Sequence, residues 1–226
     1  MTASADPEVV AVAQAASRSG ARPFKDATGN WAASVEVALM DTILSIGAKV
    51  DGAYGAGVLP RLRAFKAFRG PANMMRVVAT LGPFGLADFV PETAQIDQLM
   101  AAAGQLLDAG VQQAADVDPH STEQQQALIT TAGVPEVAWP YFLLALDIRT
   151  PELAEVQESW LHYFVKAATG KVQLTPQHRE ALLLEATKQL DAEHQKKSYG
   201  MMPAFTLPQL HQAILRAEYA RATVHA

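Results

Sequence analysis

Residues Thr130 to Leu146 read T-T-A-G-V-P-E-V-A-W-P-Y-F-L-L-A-L, a polar end closed by Gly133 and Pro135 and followed without a break by an apolar run. Glycine reaches the left-handed backbone that a tight turn between helices needs, and proline is tolerated where a starting helix has no use for the N–H. The stretch therefore predicts a turn at Gly133–Val137 between two helices, the second over Pro135–Leu146. The first amides of that second helix have no internal partner, so a turn that aims them outward makes a small anion site. Pro135 removes one of those donors.

Outward from this hairpin, apolar residues recur at three and four residue spacing along nearly the whole chain, which predicts an all-α fold. Helices are expected over Pro7–Ser17, Val35–Val50, Leu59–Phe68, Ala72–Leu81, Pro91–Ala109, Thr122–Thr131, Pro151–Ala168, Pro176–Glu193 and Pro208–Arg221. Starts are marked by Thr150-Pro151, Thr175-Pro176 and Asp118-Pro119, and by capping boxes at Ser121–Gln124 and Thr206–Gln209. Stops are marked by Gly70-Pro71, Gly82-Pro83, Gly110 and Gly170. His194 to Phe205 has no period and reads as an irregular loop. Gly52, Gly55 and Gly57 lack the Lys-Ser/Thr and the preceding strand of a phosphate loop and read as a flexible turn.

With 226 residues, half of them apolar, the chain can build one sizeable domain or two small lobes sharing a core. Eighteen basic against 23 acidic residues give a net charge of −5, which excludes nucleic-acid binding through a broad positive surface and leaves only local contacts. The basic stretch Arg61, Arg63, Lys66, Arg69 and Arg76 spreads around its helix and reads either as a solvated face or as a phosphate contact. The absence of cysteine excludes disulfides, thiolate zinc sites and a cysteine-ligated iron–sulfur cluster. The six histidines show no ligand spacing, so neither a metal nor any other cofactor is expected. Met1–Gly20 is too polar for a signal peptide and no apolar run is long enough to span a bilayer, so a soluble cytoplasmic protein without membrane partners is expected.

The G-V-x-x-V-A hairpin leading into an apolar helix resembles that of the helix-hairpin-helix DNA glycosylase superfamily, of the endonuclease III-like fold. Val35–Ser45 is similar to the first long helix of its six-helix lobe, with Gly47 at the position of a customary glutamine. Leu81-Gly-Pro-Phe84, Ala94 and Ile96, with the helix to Gly110-Val111, resemble a further segment, without its lysine. The resemblance spans about Val35 to Val165. It implies a barrel-like lobe over 33–146 and a second helical lobe from 1–32 with 147–226. Double-stranded DNA is then the partner, and a damaged base is flipped into the cleft as base chemistry requires.

The same resemblance assigns roles. Gly133, Val134, Glu136 and Val137 sit at the phosphate-gripping hairpin, Arg63 and Lys66 are candidate phosphate contacts, and Phe84 stands where relatives insert an apolar wedge into the duplex. Val137 replaces the lysine that attacks the sugar in bifunctional members, which excludes lyase chemistry there and leaves monofunctional hydrolysis. The family aspartate falls on Glu155 by spacing or on Glu158 by the downstream pattern, and either is a candidate catalytic carboxylate of a base-excision repair glycosylase. On a helical wheel Glu155, Glu158 and His162 lie opposite the stripe Leu153, Val156, Trp160, Phe164, a pattern that a solvated face also produces. Trp31, Trp139 and Tyr141 either line a base pocket or pack in the core, and Phe84 is either a wedge or a loop aromatic folded inward. The alternative to a glycosylase is a non-catalytic helical protein that binds DNA or another protein with the same fold.

Overall fold

The computed structural model describes residues 6–21, 31–69, 75–171, 173–200 and 203–224. Its elements in chain order are α1 (Pro7–Arg18), α2 (Val35–Leu44), β1 (Lys49–Val50), β2 (Ala53–Tyr54), α3 (Val58–Arg69), α4 (Arg76–Leu86), α5 (Thr93–Asp108), α6 (Thr122–Ile129), α7 (Ala138–Ala145), α8 (Pro151–Thr169), α9 (Pro176–Ser198) and α10 (Leu207–Ala222). The fold is all-α apart from one two-stranded hairpin among the described residues.

Proline with a preceding hydroxyl or carboxylate cap starts α1, α8 and α9, where Asp6, Thr150 and Thr175 accept from the N–H two or three residues on. The box at Thr206 and Gln209 closes in both directions. At Ser121 only half a box forms. Ser121 accepts from the Gln124 N–H, but the Gln124 side chain turns back to the backbone of Asp116 and Asp118. The helix expected after Asp118-Pro119 starts at Thr122, because the Asp118 carboxylate is engaged with the His120 N–H in a turn of its own.

Four expectations are corrected. The helix expected to reach Val50 ends at Leu44, because Gly47 takes a left-handed backbone and Asp51 and Gly52, both at positive φ, turn the chain into the β1–β2 hairpin. Gly55 is therefore no flexible turn. It lies against α10, where an added Cβ would stand 3.1 Å from the Ala217 nitrogen. The stop at Gly82-Pro83 is a kink at Gly82, after which a further turn carries α4 to Leu86. The irregular loop expected from His194 begins only after Ser198, where Tyr199 and Gly200 end α9 in left-handed conformations.

The buried apolar side chains form two clusters. One gathers α2 to α7 with Trp31, and the other gathers α1, α9 and the facing sides of α8 and α10. Helices α8 and α10 belong to both, because Leu153 and Trp160 face the first cluster while Leu161, Phe164 and Val165 face the second. On α10, Leu215 and Tyr219 face the first and Leu210, Ile214 and Ala217 the second. The middle of the chain thus supplies most of the first cluster and its two ends most of the second, with α8 and α10 as the wall that both share; each cluster with its helices is called a lobe below.

A buried ion pair ties the wall to the first lobe. Helix α2 is apolar enough to be buried along its whole length, Glu36 and Asp41 included. The Asp41 carboxylate receives Arg216 Nε at 2.8 Å and Nη2 at 2.6 Å, the Trp31 indole N–H at 2.7 Å, and the Tyr141 and Ser45 hydroxyls at 3.0 Å each. Burial alone would raise the Asp41 carboxyl, but the Arg216 charge and these donors outweigh it and hold it below the usual carboxylate range. Beside it the rings of Tyr141 and Tyr219 stack 4.2 Å apart and 3° from parallel. The Gly47 N–H donates to Thr223 Oγ1 at 2.8 Å and completes the seam.

Candidate functional site

The hairpin lies between α6 and α7. Gly133 adopts φ +78, and the Val134 N–H closes the turn on the Thr131 carbonyl at 3.0 Å. Its position is set by α5, since Gln98 Nε2 donates to the Ala132 carbonyl at 3.2 Å and Thr131 Oγ1 donates to Gln105. Glycine is favoured at 133 for its φ, while a Cβ there would meet only the Gln98 amide, the end of a flexible side chain, at 2.3 Å. Val134 is buried, Val137 packs against the first core, and Glu136 is exposed. The α-helix proper begins at Ala138, and the Glu136 and Val137 N–H groups donate to no acceptor among the described residues.

Phe84 follows the α4 kink and is 95% exposed, so the folded-inward reading of this ring is overturned. Gly82 at φ 66 and ψ 176 breaks the helix just before it and redirects the Pro83–Leu86 turn. A tight loop then leads to α5, and Gln98 lies roughly 8 Å along α5 from its start at 1.5 Å per residue. Phe84 and the hairpin are thus both joined to the N-terminal part of α5. Two recesses flank the β1–β2 hairpin, one of about 410 Å³ and one of about 350 Å³ at the start of α5, the latter lined by Gly47, Lys49, Arg61, Glu92 and Gln95 among others. The N-terminal part of α5 is thus shared: Gln98 is bonded to the hairpin, Glu92 and Gln95 line the recess that holds Lys49 and Arg61, and the turn carrying Phe84 leads into it.

The basic stretch on α3 divides three ways. Arg69 turns inward to the buried Glu36, with Nη2 2.7 Å from Oε2, and so belongs to the core. Lys66 lies 5.4 Å over the Trp31 ring. Arg61 is exposed at the recess and Arg63 is half-buried. Arg61 belongs to the basic stretch expected from the sequence, whereas Lys49 was not singled out, although the Asp51-Gly52 turn signal that places it beside Tyr54 was present in the sequence.

The two candidate carboxylates on α8 do not form a site together. Glu155 is exposed with no hydrogen-bond partner among the described residues, and Glu158 is 55% exposed and paired with the buried Arg179 of α9. No hydrogen bond joins either to His162, whose ring lies edge-on to Tyr163. Burial lowers the His211 imidazole near this pair, so it is held neutral. Trp31, Trp139 and Tyr141 are buried in the first core. Tyr141 and Trp31 are committed to Asp41, Trp139 packs 5.9 Å from Phe142, and none of the three lines either recess.

No helix among the described residues is long and apolar enough to cross a membrane. Set against protein-family profiles, curated proteins and solved structures, the chain matches none.

Proposed function

We propose that this chain binds distorted duplex DNA through the end of its first lobe, in the manner its resemblance to helix-hairpin-helix glycosylases implies, and that it does so without hydrolysing the glycosidic bond. The observation that carries the reading is the Phe84 ring, 95% exposed on α4, the helix that packs on α5, to which Gln98 ties the hairpin. An apolar ring in water is unfavourable by its own area, and a place between unstacked bases is a fitting destination for it. The free Glu136 and Val137 amides suit one phosphate, and Arg61 and Lys49 suit one or two more. So few contacts agree with a net charge of −5. Hydrolysis is the weaker reading because Glu158 is neutralised by Arg179 and Glu155 faces solvent, where neither is held against a flipped base.

Fluorescence anisotropy with a labelled duplex carrying a tetrahydrofuran abasic analogue tests the binding. Affinity for it should exceed that for the intact duplex, fall with salt with a logarithmic slope of about two to three, and drop roughly tenfold in Phe84→Ala. Equal or undetectable binding of both duplexes at low salt overturns the proposal. Base release from alkylated or deaminated duplex by the wild type, lost in Glu155→Gln, replaces the binding-only reading with a glycosylase.

A further inference from the structure

On the other side of the β1–β2 hairpin lies the recess of about 410 Å³, within the range of small-molecule sites. Phe164 and Ala168 of α8 and Tyr54 of β2 form an apolar wall, and Arg18 of α1 with Glu218 and Arg221 of α10 supply the charge. The buried Glu218 accepts from Arg221 Nε at 2.9 Å and Nη2 at 2.5 Å, both on Oε2. Its Oε1 and the Arg221 Nη1 take part in no hydrogen bond, and Arg18 makes no ion pair or hydrogen bond among the described residues. Asp51 is the other acidic residue of the lining and is exposed.

We infer that this recess is a binding site for a small organic carboxylate with a flat apolar body, the carboxylate lying between Arg18 and Arg221 and the body against Phe164. A guanidinium already turned and held by a neighbouring carboxylate presents its remaining N–H groups at little further entropy cost, and guanidinium is the group best shaped to receive a carboxylate. Burial raises the Glu218 carboxyl against the pull of Arg221, and the Arg221 pairing on Oε2 offsets its charge toward an entering anion. The apolar wall exceeds what an inorganic anion needs. The site is independent of the DNA reading, since neither Phe84 nor the Gly133 hairpin touches it.

The test uses the full chain, 2-naphthoate as probe, and isothermal titration. Saturable one-to-one binding is expected. Arg18→Gln should weaken it about tenfold, and Ala168→Trp, which fills the recess, should abolish it, with circular dichroism showing both variants folded. Phe84→Ala should leave it unchanged, which separates this proposal from DNA binding. 2-Naphthalenemethanol binding as tightly as naphthoate overturns the assignment of the arginines. Tighter binding of 2-naphthylmethylamine overturns the anion assignment in favour of Glu218 as anchor. Unaltered naphthoate binding in a folded Arg18→Gln, or no binding to the wild type, removes the site.

Discussion

The lobe junction and the end of the first lobe treat polar and aromatic groups in opposite ways. At the junction the Asp41 carboxylate receives five donor contacts, two of them from Arg216, and the aromatic rings around it are buried. In the first lobe the Glu136 and Val137 amides have no acceptor among the described residues, and the Phe84 ring stands in water. The Asp41 carboxylate is fully engaged and none of its partners lines either recess, so the junction is read as architecture although burial pushes the Tyr141 and Tyr219 hydroxyls strongly upward. The unsaturated surface is the place to look for binding. Perturbed ionisation marks function only where a group also has free valence toward a cavity.

The largest effect is expected where the network is cut. Asp41→Ala leaves Arg216 buried without its counter-charge, and a loss of about 3–5 kcal/mol of unfolding free energy is expected in urea titrations. The double variant Asp41→Leu with Arg216→Met should lose less than Asp41→Ala alone, since both charges are then gone. Because the folded carboxyl of Asp41 lies below its unfolded value near 3.9, its contribution is present above about pH 4 and is lost as pH falls through the folded value. Asp41→Asn should flatten stability against pH in that acid range. An unchanged profile would mean that Arg216 is not held by a charge.

Next in size is Gly55→Ala. It forces a Cβ 3.1 Å from the α10 backbone at φ +71, and about 2 kcal/mol of destabilisation is expected. A change under about 0.5 kcal/mol would show that the hairpin moves away from α10 freely and does not help lock the lobes. The stacked tyrosines divide the junction more finely. Tyr141→Phe removes a donor to Asp41 and should cost about 1 kcal/mol, whereas Tyr219 has a buried hydroxyl with no partner, so Tyr219→Phe should be neutral or stabilising by up to about 1 kcal/mol. Loss of stability in Tyr219→Phe equal to that of Tyr141→Phe would mean the Tyr219 hydroxyl is satisfied in solution.

The all-α class and the caps at Thr150, Thr175 and Thr206 were legible because each is a local rule acting on adjacent residues. The end of α2 was not read correctly, although Asp51-Gly52 is a strong hairpin signal, because the apolar period of Val35–Leu44 suggested continuation. Asp41 and Arg216 were not singled out. Their pairing joins positions 175 residues apart, and the only hint was a carboxylate inside a helix with no polar face. Of the candidate site, the Gly133 turn was readable from one glycine, while Lys49, Arg61 and Gln98 reach that end through tertiary packing that spacing does not encode. The Glu158–Arg179 pair shows the limit of the helical wheel. It places Glu158 on a polar face but cannot say that α9 brings a cation to it.

The smallest expected effect bears most directly on function. A phenylalanine packed in a core costs about 3–5 kcal/mol when cut to alanine, so Phe84→Ala would be among the most damaging changes if the ring were buried. At 95% exposure it has almost no contacts to lose, and its unfolding free energy should change by less than about 0.5 kcal/mol, read from the same urea titrations as the junction variants. The turn that carries the ring does not depend on it, because Gly82 sets the kink and the Ala87 N–H closes on the Pro83 carbonyl at 3.0 Å. A single exposed ring is common, so it is a silent stability result joined to a loss of DNA affinity that would assign Phe84 a partner. A cost above about 2 kcal/mol would place the ring against the core in solution and remove the ground for the proposed wedge.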